Sequence, residues 1–168
     1  MKINRIFVVS ICVLFLSVAA LAQVPRKAEA FTAVTIEGKT VDLPALRGKV
    51  VLLTFWSTRC PICQSEIPKL NSLARGYARS DVVFLAASTE NENILESYLR
   101  GHPFKFQILP NSFGLMLKYA KPDREGRANI AYPSYYLIDR TGRIQYHDYG
   151  WDKANPIADA IDRALANR

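Results

Sequence analysis

The sequence has 168 residues, 49% of them hydrophobic, which is sufficient for one globular domain with an apolar core. Its formal net charge at pH 7 is +7, and basic and acidic side chains are scattered along the chain. Scattered charges of mixed sign are typical of a solvated surface, so we expect no nucleic acid among the partners.

The first 22 residues have the pattern of a secretory signal peptide. A basic start precedes the uncharged run IFVVSICVLFLSVAALA, in which Ala20 and Ala22 occupy positions minus three and minus one of a predicted cleavage site before Gln23. The alternative is an uncleaved membrane anchor, for which the apolar run is short. We therefore expect a periplasmic or otherwise extracytoplasmic protein, either free or tethered to the membrane by this segment.

The mostly polar or small residues 23–30 predict a short linker, and we place the folded domain at residues 31–168. Two short alternating runs flank Glu37-Gly38 and predict a β-hairpin. The apolar run VVLLTFW, at residues 50–56, predicts a strand buried on both faces.

Beyond this strand, helical and extended patterns alternate along the chain. The predicted helices cover residues 61–77, 91–101, 113–120 and 156–168. The predicted strands cover residues 81–88 and 104–110, and two more flank the DRTG turn at 139–142. This order indicates an α/β domain with a mixed sheet that ends in a hairpin and a helix.

Cys60 and Cys63 lie two residues apart, directly after the predicted buried strand. The third cysteine, Cys12, would leave with the signal peptide. A structural disulfide, half of a metal site and a redox-active pair are the three explanations. A disulfide across two residues closes too short a loop to stabilise a fold, so we favour a chemical role.

Cys60 is predicted to lie where the buried strand ends and a helix begins. Unpaired backbone N–H groups and the helix dipole favour a thiolate there, and Arg59 adds a cation nearby. Cys63, one turn into the helix, would attack a mixed disulfide held on Cys60. The spacing therefore predicts Cys60 as the exposed nucleophile and Cys63 as the more buried resolving thiol.

The chain resembles thioredoxin-like proteins of the TlpA/ResA type, which are exported bacterial thiol–disulfide oxidoreductases. The resemblance covers nearly all of residues 31–168. It rests on EGKTVDLPALRGKVVLLTFW, the Cys60–Cys63 motif, Glu66, Pro68, Pro133 within YPSYYLIDRTGRI, and the final helix. It implies a thioredoxin-like fold with a mixed central sheet flanked by helices, an N-terminal β-hairpin and a central αβ insertion.

The resemblance also implies roles for residues outside the cysteine pair. Pro133 matches a cis-proline whose loop packs against the cysteines, and we expect Tyr132, Pro133 and Ser134 to bind the substrate backbone. Glu66 matches a carboxylate beneath the active site that accepts and returns the proton of Cys63. The alternatives are an ordinary trans turn at Pro133 and a surface charge at Glu66.

Several positions near the pair support the site or depart from the family pattern. Trp56 is expected to pack beside the motif, as core or as active-site support. Arg59 stands where the family commonly has an aromatic residue, and Pro61-Ile62 replaces Gly-Pro between the cysteines. Thr54 stands where thioredoxin has a buried acid, which makes Glu66 the only acidic candidate for proton transfer.

The stretch KPDREGRAN, at residues 121–129, is longer than the usual family connection to the cis-proline strand. We hypothesise that it contributes to the choice of partner protein. The alternative is a tolerated surface loop.

By resemblance, the protein is a reductase of protein disulfides that uses no cofactor beyond the Cys60–Cys63 disulfide. A membrane thiol transporter would supply electrons, and apocytochrome c or similar proteins would receive them. An oxidising compartment would by itself favour the opposite direction.

Three rival functions would each require different residues near the pair. A peroxidase of the peroxiredoxin kind needs Pro and Thr before its cysteine, where this chain has Leu53 and Ser57. A copper-binding or other metal-binding module would need His102 or His147 beside the pair. A non-catalytic binding module of the same fold would have an inaccessible Cys60.

Overall fold

The computed structural model describes residues 26–122, 125–126 and 128–167. The predicted signal peptide and residues 23–25 of the predicted linker lie outside these described residues. Within them, no helix is both long enough and apolar enough to cross a membrane.

The described chain forms ten strands, four α-helices and one 3₁₀ turn at Pro44–Leu46. The strands are β1 (Arg26–Lys27), β2 (Thr32–Val34), β3 (Thr40–Asp42), β4 (Val50–Phe55), β5 (Val82–Ala87), β6 (Gln107–Leu109), β7 (Lys121–Pro122), β8 (Ala128–Asn129), β9 (Ser134–Ile138) and β10 (Arg143–Tyr149). The helices are α1 (Pro61–Gly76), α2 (Glu92–Leu99), α3 (Phe113–Tyr119) and α4 (Ala154–Ala166).

A six-stranded mixed sheet, in the order β1-β10-β9-β4-β5-β6, lies at the centre of the domain. Strands β4, β5 and β6 run parallel, whereas β9 is antiparallel to both β4 and β10. The predicted N-terminal hairpin is β2–β3, a separate two-stranded sheet. The mixed sheet, the hairpin and the closing helix confirm the fold class expected from the sequence.

Strand β4 forms the centre of the core because its continuous apolar run is buried on both faces. Val50 and Leu52 pack on one side, together with buried residues of α1, α2 and α4. Val51 and Leu53 pack on the other side, together with α3 and the β2–β3 hairpin. Each such fully buried side chain contributes about 1.5–3 kcal/mol to stability, so the core holds the carboxyl end of β4 firmly.

The described part of the segment predicted as a linker belongs to the domain. Strand β1 pairs with β10 at the sheet edge, where Arg26 lies opposite Ile144. The backbone N–H of Ala28 then donates to the carbonyl of Gly142 at 3.0 Å. A two-residue edge strand carries no periodic pattern, which is why composition alone predicted a linker here.

Two other segments differ from their predicted form. The strand predicted over residues 104–110 contains only Gln107–Leu109, because Phe104 and Phe106 leave the ladder and bury their rings in the core. The stretch 121–129 contains β7 and β8, which pair antiparallel.

Candidate active site

Cys60 and Cys63 lie at the carboxyl end of β4, where α1 begins. Cys60 is the N-cap residue of α1, and its Sγ accepts a hydrogen bond from the backbone N–H of Cys63 at 3.1 Å. The two sulfurs form a disulfide, with the Cα atoms 5.2 Å apart. Cys63 is only 2% exposed, whereas Cys60 is partly accessible. This burial agrees with the predicted division of roles, which themselves stay predictions.

The position of Cys60 favours negative charge on its sulfur when the disulfide is reduced. The first N–H groups of a helix have no partner within the helix and carry the positive end of its dipole. One of them, that of Cys63, already points at Cys60 Sγ. A thiolate at this position is stabilised relative to a thiol, and the thiolate is the form that attacks disulfides.

The residues around the pair differ sharply in exposure. Trp56 is 1% exposed and packs edge-on against Phe104, with ring centres 5.3 Å apart. Pro61 and Ile62, between the cysteines, are exposed, as is Arg59. Cys60 therefore has apolar and cationic exposed neighbours and packs against the buried cluster that contains Trp56, whereas the supporting role of Trp56 stays a prediction.

A buried carboxylate that the sequence analysis missed holds the segment leading into Cys60. Glu90, 7% exposed, accepts hydrogen bonds from the Thr58 N–H at 2.8 Å and from the Thr58 hydroxyl at 2.7 Å. It also accepts from the hydroxyls of Ser57 and Ser88, at 3.1 and 3.0 Å. The Arg59 guanidinium lies 3.8 Å away. Glu90 is therefore a second buried acid close to the segment that carries Cys60, whereas the assignment of proton transfer to Glu66 stays a prediction.

Burial by itself raises the pKa of Glu90, but the hydrogen bonds from Thr58, Ser88 and Ser57 outweigh it and the pKa is lowered. Glu90 is thus ionised at neutral pH and fixes the loop between β4 and α1. A signal for this contact exists in the sequence: Glu90 closely follows a second buried strand. In the structure β5 is parallel to β4, so both strands end at the same edge of the sheet.

The cis-proline loop lies beside the same end of β4. Strand β9 starts at Ser134, which pairs with Phe55, and the Tyr132–Pro133 peptide bond is cis, as the resemblance implied. The Ser134 hydroxyl donates to the carbonyl of Ala131. The carbonyl of Pro133 accepts from the backbone N–H of Gly150 at 2.8 Å. Two groups of the expected substrate-binding loop therefore have partners within the chain.

Tyr132 links the cis-proline loop to the cysteine pair. Its side chain packs against the apolar cluster that contains Cys63 and against which Cys60 also packs. Its hydroxyl lies 3.2 Å from Met116 Sδ. The loop and the pair therefore share one apolar contact region, although the role of Tyr132 in substrate binding stays a prediction.

Glu66 is fully buried, at 0% exposure, one helical turn beyond Cys63. Its Oε1 lies 3.0 Å from Lys69 Nζ, and its Oε2 accepts a hydrogen bond from the backbone N–H of Lys153 at 3.3 Å. The alternative of a surface charge is therefore wrong. A buried carboxylate with these two donors can hold a negative charge beneath the resolving cysteine.

The two histidines have aromatic partners away from the cysteines. His102 stacks on Tyr98 at 4.4 Å, and His147 stacks on Tyr136 at 4.2 Å. Burial, followed by nearby cations, lowers the pKa of His147. Among the described residues, no group of three or more His, Cys, Asp or Glu side chains is placed to hold a metal ion. The metal-binding alternative gains no support from this part of the chain.

Comparison with known protein families gives a match over most of the chain. The AhpC/TSA family profile matches residues 24–147. This match includes the cysteine pair, Glu66, Glu90 and the cis-proline loop, so the site lies wholly within the shared region.

Individual relatives agree with this match. Over 123 residues, the chain is 27% identical to thiol-disulfide oxidoreductase ResA of Bacillus thuringiensis subsp. konkukian (strain 97-27), covering 73% of this chain and 67% of that protein. It is 28% identical over 132 residues to sporulation thiol-disulfide oxidoreductase A of Bacillus subtilis (strain 168), covering 74% and 75%.

The fold is also that of known thioredoxin-family structures. The chain superimposes on a thiol:disulfide interchange protein from Chlorobium tepidum TLS with a TM-score of 0.71 and 23% identity, covering 84% of this chain and 97% of that one. The fold is therefore thioredoxin-like, as the resemblance in the sequence implied.

Proposed function

The chain belongs to the AhpC/TSA family of thioredoxin-like proteins, and on that basis we propose that it exchanges disulfides with the thiols of other proteins outside the cytoplasm. Cys60 is the attacking sulfur and Cys63 the resolving one. The observation that carries this proposal is the placement of Cys60 Sγ at the start of α1, where it accepts the N–H of Cys63. The relatives named above are thiol–disulfide oxidoreductases, which supports the same activity.

The reaction has two displacement steps. In the first, the Cys60 thiolate attacks a sulfur of a substrate disulfide, so that a Cys60–substrate disulfide forms and one substrate thiolate leaves. In the second, Cys63 loses its proton and attacks Cys60, which releases the second substrate thiolate and leaves the Cys60–Cys63 disulfide. The substrate gains two electrons and the protein loses two, so a dithiol donor must reduce the pair again.

Glu66 accepts the proton that Cys63 loses in the second step. Its burial beneath Cys63, with Lys69 as a cationic partner, supports this role. Pro133, Tyr132 and Ser134 position the substrate chain beside Cys60. The contact of Tyr132 with the cluster around the pair supports this part of the proposal.

The direction, location and partners are proposed from the family resemblance and from the signal-like N-terminal segment. The protein acts as a reductase in the periplasm or another extracytoplasmic space, free or tethered by that segment. A membrane thiol transporter supplies its electrons, and apocytochrome c or similar proteins accept them. No dissociable cofactor is required, because the disulfide itself carries the electrons.

A peroxidase of the peroxiredoxin kind would have the same fold, but the residues before Cys60 do not support that activity here. Leu53 lies fully buried inside β4, and the Ser57 hydroxyl donates to Glu90. Neither residue supplies the Pro or Thr that a peroxiredoxin places at these positions. Disulfide exchange is therefore the activity that this site supports best.

The proposal is tested with single-cysteine variants and a protein disulfide substrate. Cys60→Ser should abolish turnover, whereas Cys63→Ser should accumulate a covalent mixed disulfide visible by non-reducing electrophoresis and intact-mass measurement. Equal activity in the two variants would contradict the assigned roles. A redox titration of the wild-type pair against glutathione then gives its reduction potential, and a reductase needs a potential below that of the substrate disulfide.

A further inference from the structure

An ammonium group at the protein surface reaches the buried carboxylate of Glu66. Lys69 lies one helical turn beyond Glu66 on α1, and its Nζ is 3.0 Å from Glu66 Oε1. The same Nζ lies 2.9 Å from Asp152 Oδ1 and 5.1 Å from the centre of the Trp151 ring. Lys69 is therefore held against Glu66 by contacts from the segment between β10 and α4.

Cys63, Glu66 and Lys69 follow one another at intervals of three residues, so that each lies beside the next on the surface of α1. Their exposure increases along this row. Cys63 is 2% exposed and Glu66 0%, whereas the side chain of Lys69 is 39% exposed. The row thus leads from the resolving thiol, through a buried acid, to a cation in contact with solvent.

We propose that Lys69 is a positioning residue that holds the carboxylate of Glu66 in place and compensates its charge, so that Glu66 can accept the proton of Cys63. This inference rests on the proposed function. A carboxylate removed from water stays charged only when a cation and hydrogen-bond donors compensate it. Lys69 supplies the cation, and the backbone N–H of Lys153 is the second donor.

In the second step of the exchange, the proton then moves from Cys63 Sγ to the carboxylate of Glu66. The sulfur of Cys63 forms its bond to Cys60 while the substrate thiolate leaves. Without Lys69, the buried carboxylate would lose the cation that lies 3.0 Å from its Oε1, and taking up the proton of Cys63 would no longer be coupled to a fixed carboxylate. Lys69 therefore acts through Glu66 and does not itself touch the reacting sulfurs.

The other groups around Glu66 do not replace this cation. Burial, and then the charge of Glu66, raises the pKa of Tyr135, so its hydroxyl stays neutral. The ammonium of Lys153 pairs with Asp148 at 2.9 Å. Titratable or charged groups of the described residues lie around Glu66 on four elements. They are Cys63 and Lys69 on α1, Tyr135 on β9, Tyr146 and Asp148 on β10, and Asp152 and Lys153 before α4.

Stopped-flow mixing of the reduced protein with an aromatic disulfide, whose thiolate product absorbs visible light, separates the two steps. The first release of thiolate reports the attack by Cys60, and the second reports the attack by Cys63. Lys69→Met should shift the pH dependence of the second release upward by about one pH unit, because an opposite charge in contact has about that effect. Below the midpoint, this shift makes the second release about tenfold slower.

Three further variants make the result specific. Lys69→Arg should restore the wild-type profile, and Lys69→Gln should shift it as Met does if the Met variant folds poorly. Arg75→Met is the matched control, since it removes another exposed cation of α1, whose partner is the Ser72 hydroxyl. It should leave the profile nearly unchanged.

The inference is overturned if Lys69→Met and Lys69→Gln both leave the second release unchanged. It is also overturned if Lys69→Met causes the same shift in a Glu66→Gln background, because Lys69 would then act without Glu66. If the wild-type protein did not release the first aromatic thiolate at all, the proposed function itself would be contradicted.

Discussion

The carboxylate of Glu90 should contribute strongly to the stability of the segment that carries Cys60. Its two oxygens accept four hydrogen bonds from three residues. Two of these bonds are donated by Thr58, one from its backbone N–H and one from its hydroxyl. Glu90→Gln keeps the shape of the side chain but replaces one acceptor oxygen with an NH₂ group. One oxygen therefore loses its donors, and the amide hydrogens meet donors instead of acceptors.

The expected loss follows from these contacts. A hydrogen bond to a charged group contributes about 1.5–3 kcal/mol, and the hydroxyls of Ser57 and Ser88 can rotate toward other partners. We therefore expect Glu90→Gln to lower the free energy of unfolding by about 2–3 kcal/mol at pH 7. Urea denaturation of the oxidised protein, followed by tryptophan fluorescence, measures this difference.

The difference in the free energy of unfolding between wild type and Glu90→Gln should also depend on pH. The folded-state pKa of Glu90 lies below its usual value. Its ionised form therefore adds stability that is fully present above the unfolded pKa of about 4.3 and is lost as the pH falls through the folded pKa. The gap between wild type and Glu90→Gln should accordingly narrow on acidification below about pH 4.

The matched control is Glu92→Gln, which makes the same chemical change two residues further on. Glu92 is exposed and accepts from the side-chain amide of Asn111. Glu92→Gln should lower the free energy of unfolding by less than about 1 kcal/mol. A loss at Glu90 no larger than at Glu92, or a gap that stays constant with pH, would refute the assignment of Glu90 as a charged anchor.

Three other predictions concern the core and the surface loops. Gly142→Ala should lower the melting temperature, because Gly142 has φ +77° and an added Cβ would lie 2.8 Å from Arg47 Cζ; calorimetry showing no change would contradict this. Ile157→Ala should cost about 2–5 kcal/mol in urea unfolding, because this fully buried side chain attaches α4 to the sheet, and a loss below about 1 kcal/mol would mean that α4 is weakly packed. Replacing residues 121–129 by a short Gly-Ser turn should alter the preference among protein disulfide substrates, and an unchanged preference would reduce this stretch to a tolerated loop.

The position of the cysteine pair could be predicted from the sequence because local signals coincide there. An uninterrupted apolar run marks β4, and Pro61 is well suited to the first turn of a helix. Cys60 must then be the residue that caps α1. The cis peptide bond at Pro133 has no such local signal and was expected only from the resemblance to a family.

Two contacts near the cysteine pair join residues that are far apart in the sequence. Glu90 meets Thr58 across 32 residues, and this contact requires the parallel register in which Phe55 lies opposite Ala87. Lys69 follows Glu66 at helical spacing, but its second partner, Asp152, lies 83 residues away. Periodicity places Glu90 just after a second buried strand, but composition and periodicity carry no information about strand order. Neither the contact of Glu90 with Thr58 nor the anchoring of Lys69 could therefore be derived from them.

The short strands β1, β7 and β8 could not be predicted for a different reason. Strand β1 and the β7–β8 pair each contribute two residues per strand. Alternation of apolar and polar residues cannot be recognised over two positions. Such strands are defined by their backbone partners in the folded chain, as β1 is by β10.

The most direct measurement of the central claim is the rate at which each cysteine of the reduced protein reacts with iodoacetamide as a function of pH, read by peptide mass spectrometry. Cys60 should react first, and at pH values where a free cysteine, with a pKa of about 8.5, is still mostly protonated. Cys63 should react far more slowly because it is buried. If both cysteines reacted at similar rates, or if Cys60 reacted only as a free thiol does, the first turn of α1 would not be activating its sulfur.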